Sequence, residues 1–217
     1  CVARTVAHEF KRRNPSKPRY VAGSVGPTGS TASMSADVYN PASRDVTFDD
    51  PVQASSDQIR GLLDAGVDII LPETIFDTLN AKAAIFALQA ETERRGTSRI
   101  PVMVSGTLAD ASGRTLSGQV VEAFYASVTH ARPLTVGFNC AYGAKQLQLY
   151  LERLASVSEF AVSAHPNAGL PNLMGGYDET PQMMAADVEE YMKRGLVNII
   201  GGCCGTTPAH IGAIARI

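Results

Sequence analysis

The sequence predicts an α/β fold of the (β/α)8 TIM-barrel type, with residues 1–217 carrying about six of the eight β-α units. Three observations predict it. Apolar runs of strand length alternate with helix-period segments along the whole chain. The runs are continuously apolar rather than alternating, as in parallel strands buried on both faces. Small and polar residues follow every run, and in a barrel all strand ends ring one site, whereas a doubly wound sheet would gather them at one crevice.

Val2 to Phe10 reads as an amphipathic helix ending in Lys11-Arg12-Arg13, where cations complement the helix dipole. The first strand, Tyr20-Val21-Ala22-Gly23, leads into Gly26-Pro27-Thr28-Gly29. That turn lacks the lysine and spacing of a phosphate loop and is read as a rim turn. A helix over 52–65 closes at Ala65-Gly66 before the strand Val67 to Leu71, which is followed by Glu73-Thr74. Asp77 and Asn80 open a helix over 77–95 in a capping role, and Arg95-Gly96 closes it. The strand Ile100 to Ser105 precedes Gly106-Thr107 and a helix over 117–130. The strand Leu134 to Asn139 ends at Cys140, before a helix over 144–156. The strand Phe160 to Ser163 precedes His165-Pro166-Asn167. Thr180-Pro181 starts a helix over 181–193 with an N-cap and a first-turn proline. After Arg194-Gly195 the last strand, Val197 to Ile200, runs into Gly201 to Thr207 and a helix from Pro208. Six strands leave an eight-stranded barrel short by two, so about two β-α units are expected before Cys1, and 1–217 is expected to form one partial barrel domain.

Composition narrows the function classes. A formal net charge of −2 gives no electrostatic case for nucleic acid or an anionic membrane. No apolar stretch approaches the roughly 20 residues that span a bilayer. The chain opens in a charged amphipathic segment rather than a signal-like apolar one, and its four cysteines are irregularly spaced. A reducing, cytoplasmic location is expected.

Cys203-Cys204, flanked by Gly201-Gly202 and Gly205, is the most distinctive element. With Cys140 it places three thiols at strand C-termini, where they could share one soft metal ion such as zinc. The alternative stays open on spacing alone. The pair is not a CxxC element, and free cysteine often packs as a small hydrophobe. Glu73, just past an apolar strand, needs a partner such as an ammonium, an arginine or backbone donors. His8, His130 and His210 fall on helix patterns and are expected at the surface, while Cys1 reads as an ordinary helix residue.

These segments resemble the homocysteine S-methyltransferase family, and within it the homocysteine-binding module of cobalamin-dependent methionine synthase. The resemblance rests on Val21 to Thr28, Glu73 to Lys82, Ser105-Gly106-Thr107 with Gly113 to Gly118, Gly137-Phe138-Asn139-Cys140, Ala164 to Pro171 and Gly201 to Pro208, in family order. Glu73 to Lys82 and His165 to Pro171 are specific to that branch, whereas Gly-Gly-Cys-Cys-Gly is shared with betaine-dependent enzymes. The resemblance implies zinc held by Cys140, Cys203 and Cys204, with Asn167 as an oxygen ligand when substrate is absent. It implies that Glu73 holds the amino group of homocysteine, and that His165 positions by hydrogen bonding. The methyl donor would be methylcobalamin, bound by a separate module of the parent protein, which would also carry a folate-binding module. Ser55 departs from the family, where a tyrosine is common, and this touches packing only. The alternatives are a cobalamin-free homocysteine methyltransferase using betaine or S-methylmethionine, and a non-catalytic zinc-binding fragment.

Overall fold

The structure is a computed structural model that describes residues 2–217; Cys1 lies outside the described residues. Six strands each precede a helix, and the strand pairings that join neighbouring strands are parallel, as the continuous apolar runs predict. The chain divides into two compact units, Cys1–Pro72 with Asp77–Met103, and Glu73–Phe76 with Val104–Ile217.

The first unit holds α1 (Val2–Arg13), β1 (Ala22–Val25), α2 (Asp49–Asp64), β2 (Ile69–Pro72) and α3 (Thr78–Arg95). β1 and β2 pair in parallel from Ala22↔Ile69 to Val25↔Pro72. Asp77 is the N-cap of α3, its carboxylate accepting from the Leu79 N–H at 2.9 Å and from the Ser33 N–H at 2.9 Å. Asn80 departs from the expected cap. It accepts from the Ala32 N–H and donates to Thr28 Oγ1 and the Ser30 carbonyl, so it pins the rim turn after β1. Gly96, in the left-handed region at φ 61°, ends α3 as expected. α1 keeps its basic last turn but buries no residue.

The second unit carries the sheet β3-β4-β5-β6, whose first strand, β3 (Met103–Gly106), begins at the boundary between the units. β4 (Thr135–Gly143), β5 (Ala161–Asn167) and β6 (Ile199–Ile200) follow. The helices α4 (Val121–Val128), α5 (Ala144–Val157) and α6 (Pro181–Lys193) supply the core side chains Phe124, Leu147, Leu151, Leu154, Met184 and Tyr191, all fully buried with Phe138 of β4, and α7 (Pro208–Ile214) buries His210, Ala213 and Ile214. Gly137 pairs with Ser163, and a Cβ there would overlap the Ser163 carbonyl oxygen, so only glycine lets β4 and β5 approach this closely.

Two further expectations change here. β6 is a two-residue strand rather than four, because beyond Ile200 the backbone leaves strand geometry and its bonds to β5 continue through a loop. His210 is buried, not at the surface. Its Nδ1 closes a capping box with Thr207, and its Nε2 faces the Glu179 carbonyl at 2.9 Å. His8 and His130 are exposed as expected.

Candidate active site

The residues singled out by the sequence meet in the second unit, at the C-terminal ends of β4, β5 and β6 and in the segment after β2. β4 runs in register with β5 as far as Asn139↔His165, then shifts before Gly143↔Asn167. The shift is made by Cys140 and Ala141, both left-handed at φ 61° and 60°. Such conformations are uncommon without glycine and persist only where surroundings impose them. They lift Cys140 out of the ladder, so β4 passes through it rather than ending there.

The Cys203-Cys204 loop continues the β5–β6 bonding past the last strand residue. The Gly201 and Cys203 N–H groups donate to the carbonyls of Ala164 and Pro166 at 3.0 and 2.8 Å, and the Ala168 N–H donates to the Cys204 carbonyl at 2.9 Å. The buried Asn167 completes the clasp: its Oδ1 accepts from the Cys204 N–H at 3.0 Å. The flanking glycines are required sterically. A Cβ at Gly201 would lie 2.6 Å from the His165 ring, and one at Gly205, at φ 76°, would overlap the Tyr177 ring.

These constraints bring the three thiols together. Cys140 Sγ lies 3.6 Å from Cys204 Sγ, Cys203 Sγ lies 4.0 Å from Cys204 Sγ, and all three fall within 4.8 Å of one another. Ligands about 2.3 Å from a tetrahedral ion stand about 3.8 Å apart, so the triangle suits one soft ion with a fourth position open. Burial pushes the Cys203 thiol up to about 12, the Asn139 amide opposes this, and the two neighbouring thiols add to it. A cation is the natural counterweight for such a cluster.

Glu73 follows β2 directly and lies beside the cluster. Asn139, buried in β4 just before Cys140, directs Nδ2 to Glu73 Oε2 at 3.4 Å and to Cys203 Sγ at 3.8 Å. The next residue, Thr74, is left-handed at φ 51°. Burial lowers the pKa of His165, with Glu73 opposing, so its imidazole is neutral at pH 7, packed against Gly201. Tyr177 borders the cluster, its phenol raised by burial and by its hydrogen bond with Cys204. Sequence reasoning missed Asn139 and Tyr177 as site residues. The position of Asn139 immediately before a strand-end cysteine was the available signal; Tyr177, in a loop, offered none.

Among solved structures, the homocysteine methyltransferase MmuM from Escherichia coli shares the fold. Its apo form superposes with a TM-score of 0.75 at 24% identity, covering 99% of this chain and 68% of that one. Its metallated form gives 0.72 at 24% identity over 99% and 67%. The model of the family described as homocysteine S-methyltransferase matches residues 1–217. The alternating β-α units and parallel sheets are therefore those of the partial TIM-barrel-like fold, and this chain belongs to the homocysteine S-methyltransferase family and is a methyltransferase of that type.

Proposed function

We propose that this protein uses zinc, held by Cys140, Cys203 and Cys204, to activate the thiol of homocysteine, and that the thiol takes its methyl group from methylcobalamin to give methionine. The observation that carries the reading is the thiol triangle of Cys140, within β4, and the Cys203-Cys204 loop after β6, with sulfur separations of 3.6 and 4.0 Å. An all-thiolate donor set fits zinc, and the metallated form of MmuM is in keeping with a metal in this fold. When bound, zinc supplies the positive charge that lets a thiol of ordinary pKa about 8.5 ionise near pH 7.

The chain's own residues do the rest. Cys140, Cys203 and Cys204 supply sulfur donors whose negative charge keeps a fourth sulfur electron-rich. Glu73, on the same rim, receives the substrate ammonium. Asn167 holds the Cys204 backbone through its Oδ1, and it is the residue we assign as an oxygen donor when substrate is absent. Methylcobalamin is favoured as donor because Glu73 to Lys82 and His165 to Pro171 resemble the methionine synthase branch; it would be carried by a separate module beside a folate-binding one. Residues 1–217 form the homocysteine-binding domain in this reading, in a cytoplasmic enzyme of methionine biosynthesis.

The test combines metal analysis with donor choice. The wild-type protein should hold close to one zinc per chain, and the Cys203→Ala, Cys204→Ala double variant should hold none. Methionine should form from homocysteine with methylcobalamin and not with betaine or S-methylmethionine. Full zinc retention in the double variant overturns the ligand assignment, and turnover with S-methylmethionine or betaine overturns the donor.

A further inference from the structure

The amide of Asn139 is engaged on every side. Its Oδ1 accepts from the Thr74 N–H at 2.9 Å and from Ser105 Oγ at 2.6 Å. Its Nδ2 faces Thr74 Oγ1 at 2.7 Å, Glu73 Oε2 at 3.4 Å and Cys203 Sγ at 3.8 Å. The orientation of the amide is dictated by these partners. A backbone N–H can only donate, so the atom facing it is the oxygen, and the NH2 group must face the carboxylate and the sulfur. One buried side chain thus touches the residue after β2 that carries the carboxylate and the loop after β6 that carries the thiol. It also makes two bonds to Thr74, a β-branched residue held at φ 51°, where such residues are outliers that their surroundings must impose.

We propose that Asn139 is a positioning residue that keeps Glu73 and the cysteine cluster in register, so that one substrate carrying an amine at one end and a thiol at the other is held at both ends. The inference rests on the homocysteine reading above and deepens it. Asn139 is not a metal ligand in this proposal and does not touch the reacting atoms. It fixes Thr74, Thr74 fixes the direction of Glu73, and the same NH2 group borders Cys203. The chemical consequence is selectivity: a thiol with an amine is preferred over the same thiol without one.

The experiment compares homocysteine with 4-mercaptobutanoate, the same molecule without its amino group, by titration against the zinc-loaded protein. The wild type should prefer homocysteine. Asn139→Asp keeps the size of the side chain but turns its donor face into an acceptor beside Glu73. It should weaken homocysteine binding about tenfold to a hundredfold, leave the amine-free thiol within about threefold, and keep zinc content near that of wild type. In a cycle with Glu73→Gln, the double variant should lose no more selectivity than Glu73→Gln alone, because the two residues act as one unit. Equal preference for homocysteine in Asn139→Asp and wild type overturns the proposal, as does equal weakening of both thiols. Ser105→Ala removes a bond from the other face of the same amide and guards against a variant that does not fold. Several-fold loss of selectivity there supports the positioning role, and unchanged selectivity there overturns it. A wild-type protein that binds neither thiol instead overturns the homocysteine reading itself, and is a separate result.

Discussion

At the scale of single residues, Glu73 and the cysteines ask for different tests although they sit together. Glu73 borders the cluster through Asn139 but offers its carboxylate to substrate in the proposed chemistry. Glu73→Gln should weaken homocysteine binding by about 1.5–3 kcal/mol, the range of a hydrogen bond to a charged group. Zinc content should stay unchanged, and unaltered homocysteine affinity by calorimetry would remove the role. The cysteines were legible in the sequence because thiols are rare and these follow apolar runs of strand length, although β4 runs on past Cys140 to Gly143. Glu73 was legible because a carboxylate at the end of an apolar strand needs a reason. Asn139 was not, since its partners at positions 73, 74, 105 and 203 are distant in sequence and meet only through the fold. His210 was misplaced for a related reason: helix periodicity locates a face, but a first-turn residue can fold back onto its own cap.

Elements are held by a few dense contacts, and two of these can be tested directly. In the first unit, Glu91 of α3 is nearly buried and bonded to Arg94 and Arg95, and Arg95 also reaches Asp64 of α2 at 2.8 Å. The hydrogen bonds from Arg94 and Arg95 lower the Glu91 pKa from 4.5 to about 2. An acid whose folded pKa is depressed contributes its full stability above its unfolded pKa and loses it as pH falls through the folded one. Glu91→Gln should therefore melt below wild type at pH 7, and the gap should close between about pH 4.5 and 2. A gap that is constant across that range would mean that the charge is not what matters. In the second unit, Gly137→Ala would force β4 and β5 apart at their closest pairing. Overpacking of this kind costs about 1–3 kcal/mol or more, read as a lower denaturation midpoint in urea. Elements were the most legible level. Helices expected over 77–95, 144–156 and 181–193 lie at Thr78–Arg95, Ala144–Val157 and Pro181–Lys193, because proline, glycine and capping residues mark helix ends chemically. Strand ends carry no such marks: the strand expected at Tyr20 to Gly23 lies at Ala22–Val25, and β4 extends through Cys140 to Gly143.

For the molecule as a whole, the two sheets leave β1, β2, β3 and β6 with one strand neighbour each among the described residues, and α1 exposes Val2, Val6 and Phe10. Unpaired strand edges and an uncovered apolar helix face favour association. The protein should therefore self-associate in light scattering as its concentration rises; a monodisperse sample would show that the edges are protected. The fold class was legible at this scale because parallel burial writes continuous apolar runs. The division into two compact units was not, since no composition change marks it. One further consequence lies in the paired left-handed residues Cys140 and Ala141. Alanine at φ 60° spends folding stability that glycine would not, so the native sequence is not the most heat-resistant version of this chain. Ala141→Gly should raise the melting temperature by a few degrees while loosening the turn that presents Cys140. The same change should then lower zinc affinity, making durability and metal grip opposing quantities at a single backbone position.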